Sequence, residues 1–356
     1  MTKAISVEDG PDEGLWIALL NYREMISRDP DVGMPSRNGP IVEFPNPVLT
    51  TFHRPIQRVS LSPVRDANPF FHLFESFWML QGRNDVEFPA HFAGNIRNYA
   101  EDDGILHGAY GHRWRNHFGK DQLDWAITEL VENPDSRRVV VSMWDANVDV
   151  PNFAKDHPCN LQCMFRVRAN GSLDLTVSNR SNDAVWGLFG ANAVHFSFLL
   201  EYMSASTGYE MGKMYFTSNS LHIYTEAEVV QRCLRGMKDA PQDYGTQSRK
   251  GEDSMPCVSI RLMQDFEEPW MVDQDIDMLM KLPLGGSADV AKFNTVFFRE
   301  IVQTMWNAHG LYKEDRIEEA LMVLDTMQDS MFLENDWLRA GQMWLDRRLA
   351  NKSKKG

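Results

Sequence analysis

The sequence predicts an α/β (α+β) chain in which a β-rich centre is flanked by helices and followed by a mostly helical C-terminal region. Three observations predict it. Apolar residues recur at helical spacing before residue 133, the period changes to strand-like alternation over 137–179, and helical spacing returns at 193 and again beyond 290. The centre also contains Asn170-Gly171, a dipeptide suited to the tight turn of a hairpin.

Each element follows from its residues. Segment 13–27 (GLWIALLNYREMISR) has the spacing of a helix, and 29–47, rich in Pro and Gly, reads as a loop. Residues 68–82 (NPFFHLFESFWMLQG) predict a buried helix, apolar on nearly every side and stopped by Gly82. Its single carboxylate, Glu75, is therefore conspicuous. Residues 121–132 predict an amphipathic helix with Asp121 placed to cap it. Strands are expected at 137–144, 161–168 and 172–179, then a nearly all-apolar helix at 193–206 and a mixed run to Tyr224. The polar stretch 236–256 marks an exposed loop or boundary, and 291–308, 314–328 and 334–350 read as helices before a frayed basic tail, NKSKKG.

Composition narrows the function. The chain has 356 residues, which suggests about two domains; the division expected is 1–256, catalytic, and 257–356, mostly helical. With 24% charged and 43% hydrophobic residues it reads as a globular protein, and no apolar run is long enough to span a membrane. The polar, acidic start lacks the profile of a secretory signal, so the expected setting is the cytoplasm. A net charge of −14 argues against extended nucleic-acid binding but leaves room for a small anion where arginines cluster. Four cysteines fit neither a disulfide framework nor a paired zinc motif, and no metal site is expected. There is no P-loop and no GxGxxG.

Three places could carry chemistry. Cys159, in DHPCNLQC, stands at the mouth of a strand, where a thiolate could be exposed and stabilised by Arg137, Arg138 and Arg180; the plainer reading is a small buried hydrophobe. Cys163 sits within the apolar alternation and reads as packing. Arg180 and Ser181 suit a phosphate, since a guanidinium offers paired donors and the hydroxyl a third; a solvated turn is the alternative. Glu75 must be paired, protonated or functional, because an isolated buried charge is costly.

In this order the three elements resemble thymidylate synthase. HLFESFWMLQG (72–82) is similar to the family's HELLWFLQG, GAYGHRWR (108–115) to GPVYGKQWR, and NPDSRRVVVSMW (133–144) to DPDSRRIIVSAW. Pro158-Cys159-Asn160 is similar to PCH, NRSND (179–183) to QRSxD, and NSLHIY (219–224) to DxHxY. The likeness runs from about residue 68 to 226. It implies the thymidylate synthase fold, a mixed β-sheet packed by helices, and one-carbon transfer from 5,10-methylenetetrahydrofolate to a pyrimidine deoxynucleoside monophosphate. Cys159 would add to ring carbon 6, and Glu75 and Tyr110 would move protons. Arg180 and Ser181, with Arg137 and Arg138 from the other subunit of a homodimer, would hold the phosphate, with Arg37 a further phosphate arginine. His222 and Tyr224 would bond the sugar hydroxyl, and Asp183 the folate's pterin. Asn192, reached by allowing one inserted residue after Asp183, would read the base; a carboxamide there favours dUMP over dCMP.

Departures from the family pattern bear on the product. The family has a tryptophan pair in IWDEW that packs on the folate and keeps water out, whereas NIRNYA (95–100) places Ile96 and Tyr99 there. The closing C-terminal segment of the family is not matched in the helical end of this sequence. Asn160 replaces the histidine beside the nucleophile. Weaker exclusion of water favours water over hydride at the last step. The expected activity is therefore 5-hydroxymethylation of dUMP, of the kind phages use to modify DNA, with dTMP synthesis or dCMP hydroxymethylation as alternatives. A cysteine hydrolase using Cys159 with His157 or His195 is the rival from another class.

Overall fold

The computed structural model describes residues 4–150, 154–239, 257–331 and 334–354. Strands β1 (Ala4–Val7), β3 (Val48–Phe52), β4 (Val140–Ser142), β5 (Asn160–Val167), β6 (Ser172–Asn179) and β8 (Glu210–Ser218) form one sheet in the order β1-β3-β8-β6-β5-β4. Pairs β1–β3 and β6–β8 are parallel; β3–β8, β5–β6 and β4–β5 are antiparallel. The mixed sheet implied by the resemblance is thus present. A second, three-stranded sheet joins β2 (Ile41–Glu43), β9 (Leu221–Tyr224) and β7 (Asn182–Asp183).

The expected helices are present, with caps that explain several of their ends, except that the one read from residue 291 begins at Val296, and a helix at Pro269–Met280 was not read from the sequence. Helix α1 (Pro11–Arg28) begins with Pro11 and carries Asp12 and Glu13 in its first turn, where acidic groups complement the helix dipole. Helix α2 (Pro69–Leu80) is capped by Asn68, whose side chain accepts from Phe71 N, and Gly82 takes φ +75° just beyond its end. Short helices α3 (Glu87–Phe92) and α4 (Tyr110–His112) precede α5 (Gln122–Glu132), which Asp121 caps through Leu123 N and Asp124 N. After α6 (Ala146–Asp149), helix α7 (Asn192–Thr207) is buried from Asn192 to Ser204 and packs between the sheet and α2. Its apolar sequence reflects contact on all sides. Helices α8 (Glu228–Asp239), α9 (Pro269–Met280), α10 (Gln303–Lys313), α11 (Ile317–Ser330) and α12 (Asp336–Ser353) complete the chain.

Three expectations need correction. The strand read over 137–144 is a regular ladder only at 140–142: ahead of it Arg138 turns to a two-point ion pair with Glu129 of α5, and beyond it Met143 and Trp144 share one acceptor, Leu161 O. The loop read over 29–47 contains β2, whose pairing with β9 is long-range and invisible in local composition. The mixed run before Tyr224 is strands β8 and β9. The boundary read over 236–256 lies almost wholly outside the described residues.

Helix α2 organises the core. Phe70, Phe74 and Phe77 recur at helical spacing and are fully buried against the C-terminal helices: Phe70 meets Trp344 at 5.5 Å between ring centres, Phe74 meets Trp306 at 5.3 Å and Phe77 meets Phe298 at 4.7 Å. Asp66, just before α2, accepts from Arg347 at 2.8 Å and Arg348 at 2.6 Å of α12. The opposite side of α2 is left for Glu75. Among the described residues no helix is long and apolar enough to cross a membrane.

Phe77→Ala should lower unfolding free energy by about 3–5 kcal/mol in urea titrations, because the ring is surrounded by Phe198, Phe297 and Phe298 and little can collapse into the space.

Candidate active site

Cys159 immediately precedes β5. The β5–β6 register shifts between Asn160 and Gln162, and Met143 and Trp144 both donate their N–H to Leu161 O, at 2.8 and 3.1 Å. This irregularity at the strand mouth re-aims the residues beside it. Cys159 lines a cavity of about 480 Å³, together with Arg37, Arg180, Ser181, His222 and Tyr224. Arg180 is tied in place by the chain around the thiol: its Nε donates to Pro158 O at 2.9 Å, its Nη2 to His157 O at 3.3 Å, and the same Nη2 lies 3.7 Å from Cys159 Sγ. Burial pushes the Cys159 thiol up; the Arg180 guanidinium pulls it down, Asp156 pushes it up, and Arg37 pulls it down. Cys163, by contrast, is fully buried in the sheet and burial alone drives its thiol far up, as befits packing.

A second cavity, of about 670 Å³, is lined by Glu75, Tyr110, Asn192, Trp186, Ile96 and Tyr99 among others. Tyr110 lines this second cavity beside the segment that carries Cys159. Burial, followed by the nearby Cys159 and Asp156, pushes its hydroxyl well above the ordinary tyrosine range, against a smaller downward pull from the backbone of Asn160 and Cys159. It reaches this place because α4 lies against the backbone of α2: a Cβ on Gly111 would fall 1.9 Å from Met79 O, so only glycine fits. Glu75 and its neighbour His195 of α7 meet at 3.0 Å between Oε2 and Nε2.

Asn192 belongs to a row of side-chain amides. Asn179 Nδ2 donates to Asn160 Oδ1, Asn160 Nδ2 to Asn192 Oδ1 at 3.4 Å, Asn192 Nδ2 to Asn182 Oδ1 at 3.1 Å, and Asn182 Nδ2 to Ser218 Oγ at 3.1 Å. An amide used once as donor and once as acceptor keeps one further N–H and one further lone pair. The residue inserted before Asn192 is absorbed by a widened, π-type turn over 184–191 that breaks at Phe189 and Gly190.

The structure gathers Cys159, Arg37, Arg180, Ser181, His222 and Tyr224 at one cavity and Glu75, Tyr110 and Asn192 at the other. It does not bring Arg137 or Arg138 to either; both are exposed beside α5. Asp183 caps the 184–191 turn, accepting from Trp186 N and Gly187 N, and burial pushes its carboxyl up. Its Oδ1 is buried without a partner, and it is not among the residues lining the second cavity. Sequence reasoning gave no site role to Arg65, His72, Asp156 or Trp186, all of which line that cavity, and considered His195 only for a hydrolase. A helical-spacing test would have found two of them: His72 precedes Glu75, and His195 follows Asn192, by three positions.

Arg180→Ala removes the cation nearest the thiol, which disfavours thiolate and raises its pKa. At neutral pH, alkylation of Cys159 by iodoacetamide should slow roughly three- to tenfold, read by mass spectrometry of the modified peptide.

The family model described as "Thymidylate synthase" matches residues 64–267. The deoxyuridylate hydroxymethyltransferase of Pseudomonas phage M6 is 43% identical over 319 residues, 88% of this chain and 87% of that protein. The enzyme of the same name from Bacillus phage SP01 is 37% identical over 236 residues, covering 62% and 58% of the two chains. Thymidylate synthase of Mycoplasma mobile is 39% identical over 126 residues, 35% of this chain and 42% of that one. Cys159, Glu75, Tyr110 and Arg180 all fall inside the matched span and surround the same pair of cavities, and the chain belongs to the thymidylate synthase family.

Proposed function

We propose that the protein is a deoxyuridylate hydroxymethyltransferase, which adds a hydroxymethyl group to carbon 5 of dUMP. The observation that carries this reading is the 43% identity, over 88% of the chain, to a phage enzyme of that name. The cavity agrees. Where the family pattern has its tryptophan pair, Ile96 and a 41% exposed Tyr99 stand at the wall of an open chamber, so water has access to the reacting carbon.

Roles follow from placement. Arg180 beside Sγ favours the thiolate of Cys159, which bonds to ring carbon 6 and turns carbon 5 into a nucleophile. Arg37, Arg180 and Ser181 offer donors for the phosphate, and His222 and Tyr224 meet the sugar. The spare donor and acceptor of Asn192 match O4 and N3–H of uracil. Tyr110 and Glu75 handle protons across the ring. The second cavity suits methylenetetrahydrofolate, which supplies the carbon unit when bound: Phe71, Tyr99 and Trp186 give apolar and aromatic surface for a pteridine, and the buried Arg65 gives a cation for a carboxylate. Asp183 can serve the pterin through its unpartnered oxygen once the folate has entered.

Arg137 and Arg138 complete the phosphate site from a second subunit. The large sheet supports this: Leu49 and Val140 are 41% and 37% exposed on it, although β6–β8 is a parallel pair of the kind normally covered on both faces. Family membership leaves no place for the cysteine hydrolase alternative.

The test incubates the protein with dUMP and methylenetetrahydrofolate and weighs the nucleotide. A gain of CH2O with release of tetrahydrofolate is expected; a methyl gain with dihydrofolate overturns the reading, and turnover of dCMP in preference to dUMP overturns the base assignment. Cys159→Ser should lose activity by about a thousandfold or more. Mixing inactive Cys159→Ser with inactive Arg137→Ala/Arg138→Ala should restore about a quarter of wild-type activity, since half the dimers are mixed and each has one intact site. A mixture that stays inactive removes the shared-arginine arrangement.

A further inference from the structure

We propose that His195 is the base that takes a proton from the water ending the reaction, a role separate from the proton transfers assigned to Glu75. The inference rests on the hydroxymethylation reading. Its starting point is a buried side chain with an unmet polar atom. His195 is 5% exposed, lines the chamber that holds Glu75 and Asn192, and its Nε2 has no hydrogen-bond partner although Glu75 Oε2 is 3.0 Å away. The two groups touch without being aligned. A ring nitrogen buried in this state costs stability unless a further molecule completes its bonding.

The placement is chemical as well as unsatisfied. His195 follows Asn192 by one turn of α7, so the amide that meets the base and the imidazole project from the same side of one helix. His72 stands behind it, edge-on with ring centres 6.5 Å apart, one turn before Glu75 on α2. Burial, with Arg65 and His195 beside it, holds His72 well below the ordinary histidine range and therefore neutral. A neutral ring at that point adds no charge against a proton arriving on His195.

The step balances without any oxidant or reductant. After the folate leaves as tetrahydrofolate, the pyrimidine carries an exocyclic methylene at carbon 5 and Cys159 at carbon 6. The water oxygen bonds to the methylene carbon, and the π pair moves onto O4 as an enolate. The water proton goes to His195. Re-forming the carbonyl builds the carbon 5–carbon 6 double bond and expels the Cys159 thiolate, to which the proton on His195 is finally equivalent. A thiol, being a far better nucleophile than water, can take the same methylene without help from a base.

That difference supplies the experiment. [5-³H]dUMP releases tritium when carbon 5 loses its proton, before water adds, so tritium release and hydroxymethyl product read the two stages separately. In His195→Gln and His195→Asn, tritium release should stay within about threefold of wild type while hydroxymethyl product falls about a hundredfold or more, and added 2-mercaptoethanol should divert the nucleotide to its thioether. Tritium release falling in step with product, or product formed at the wild-type rate, overturns the proposal. A second arm needs no variant: in the wild type the thioether should remain minor, and a dominant thioether would show that water receives no assistance. Wild type that yields dTMP or leaves dUMP unchanged ends the hydroxymethylation reading itself; wild-type hydroxymethylation unaffected by loss of His195 ends this proposal alone.

Discussion

A thiol enclosed by protein is a poor nucleophile unless a cation offsets the loss of solvent, and the contact between Arg180 and Cys159 works against a burial that still holds the thiol up. The rest of the site is arranged to hold it. Arg180 is fixed by carbonyls of the same short segment that carries the cysteine, so guanidinium and sulfur move together. Tyr110, on the wall of the other cavity, stands close enough to Cys159 for the two groups to influence each other's charge.

The aromatic helix α2 works in two directions. Its phenylalanines anchor the C-terminal helices, while Phe71, His72, Glu75, Trp78 and Met79 form the chamber wall. A carboxylate on so apolar a helix would be expensive in a purely structural element. Here the cost is confined to one side, and the rigid packing on the other keeps Glu75 from drifting. Precision at the site is thereby inherited from the core.

Much of this was legible in the sequence, and the limits have physical causes. Asp121 as a cap, the Asn170-Gly171 turn and the burial of Cys163 are local properties, and local spacing reveals them. Strand β2 depends on a partner far along the chain, Tyr224, which no window of neighbouring residues contains, and the late start of β4 goes with the Arg138–Glu129 ion pair, a side-chain contact that apolar alternation does not encode. The cavity residues separate in the same way. Motif likeness located Cys159, Glu75, Tyr110 and Arg180, whereas Arg65 and Trp186 belong to no quoted motif, Asp156 opens DHPCNLQC without a family counterpart, and all three join the cavity through tertiary packing. Arg137 and Arg138 were picked out as a pair, yet both lie away from the two cavities of the chain.

The row of asparagines through Asn192 has one more implication. Its terminal hydroxyl, Ser218, can give or take a hydrogen bond, so nothing at that end dictates which way the amides point; at the other end Asn179 Oδ1 has no donor. Every amide could invert together with little change in shape, so that donor and acceptor at Asn192 change places. On the base-reading role proposed for Asn192, selectivity between the two nucleobases is then a polarity shared by several residues, and a heritable switch could begin at Asn179.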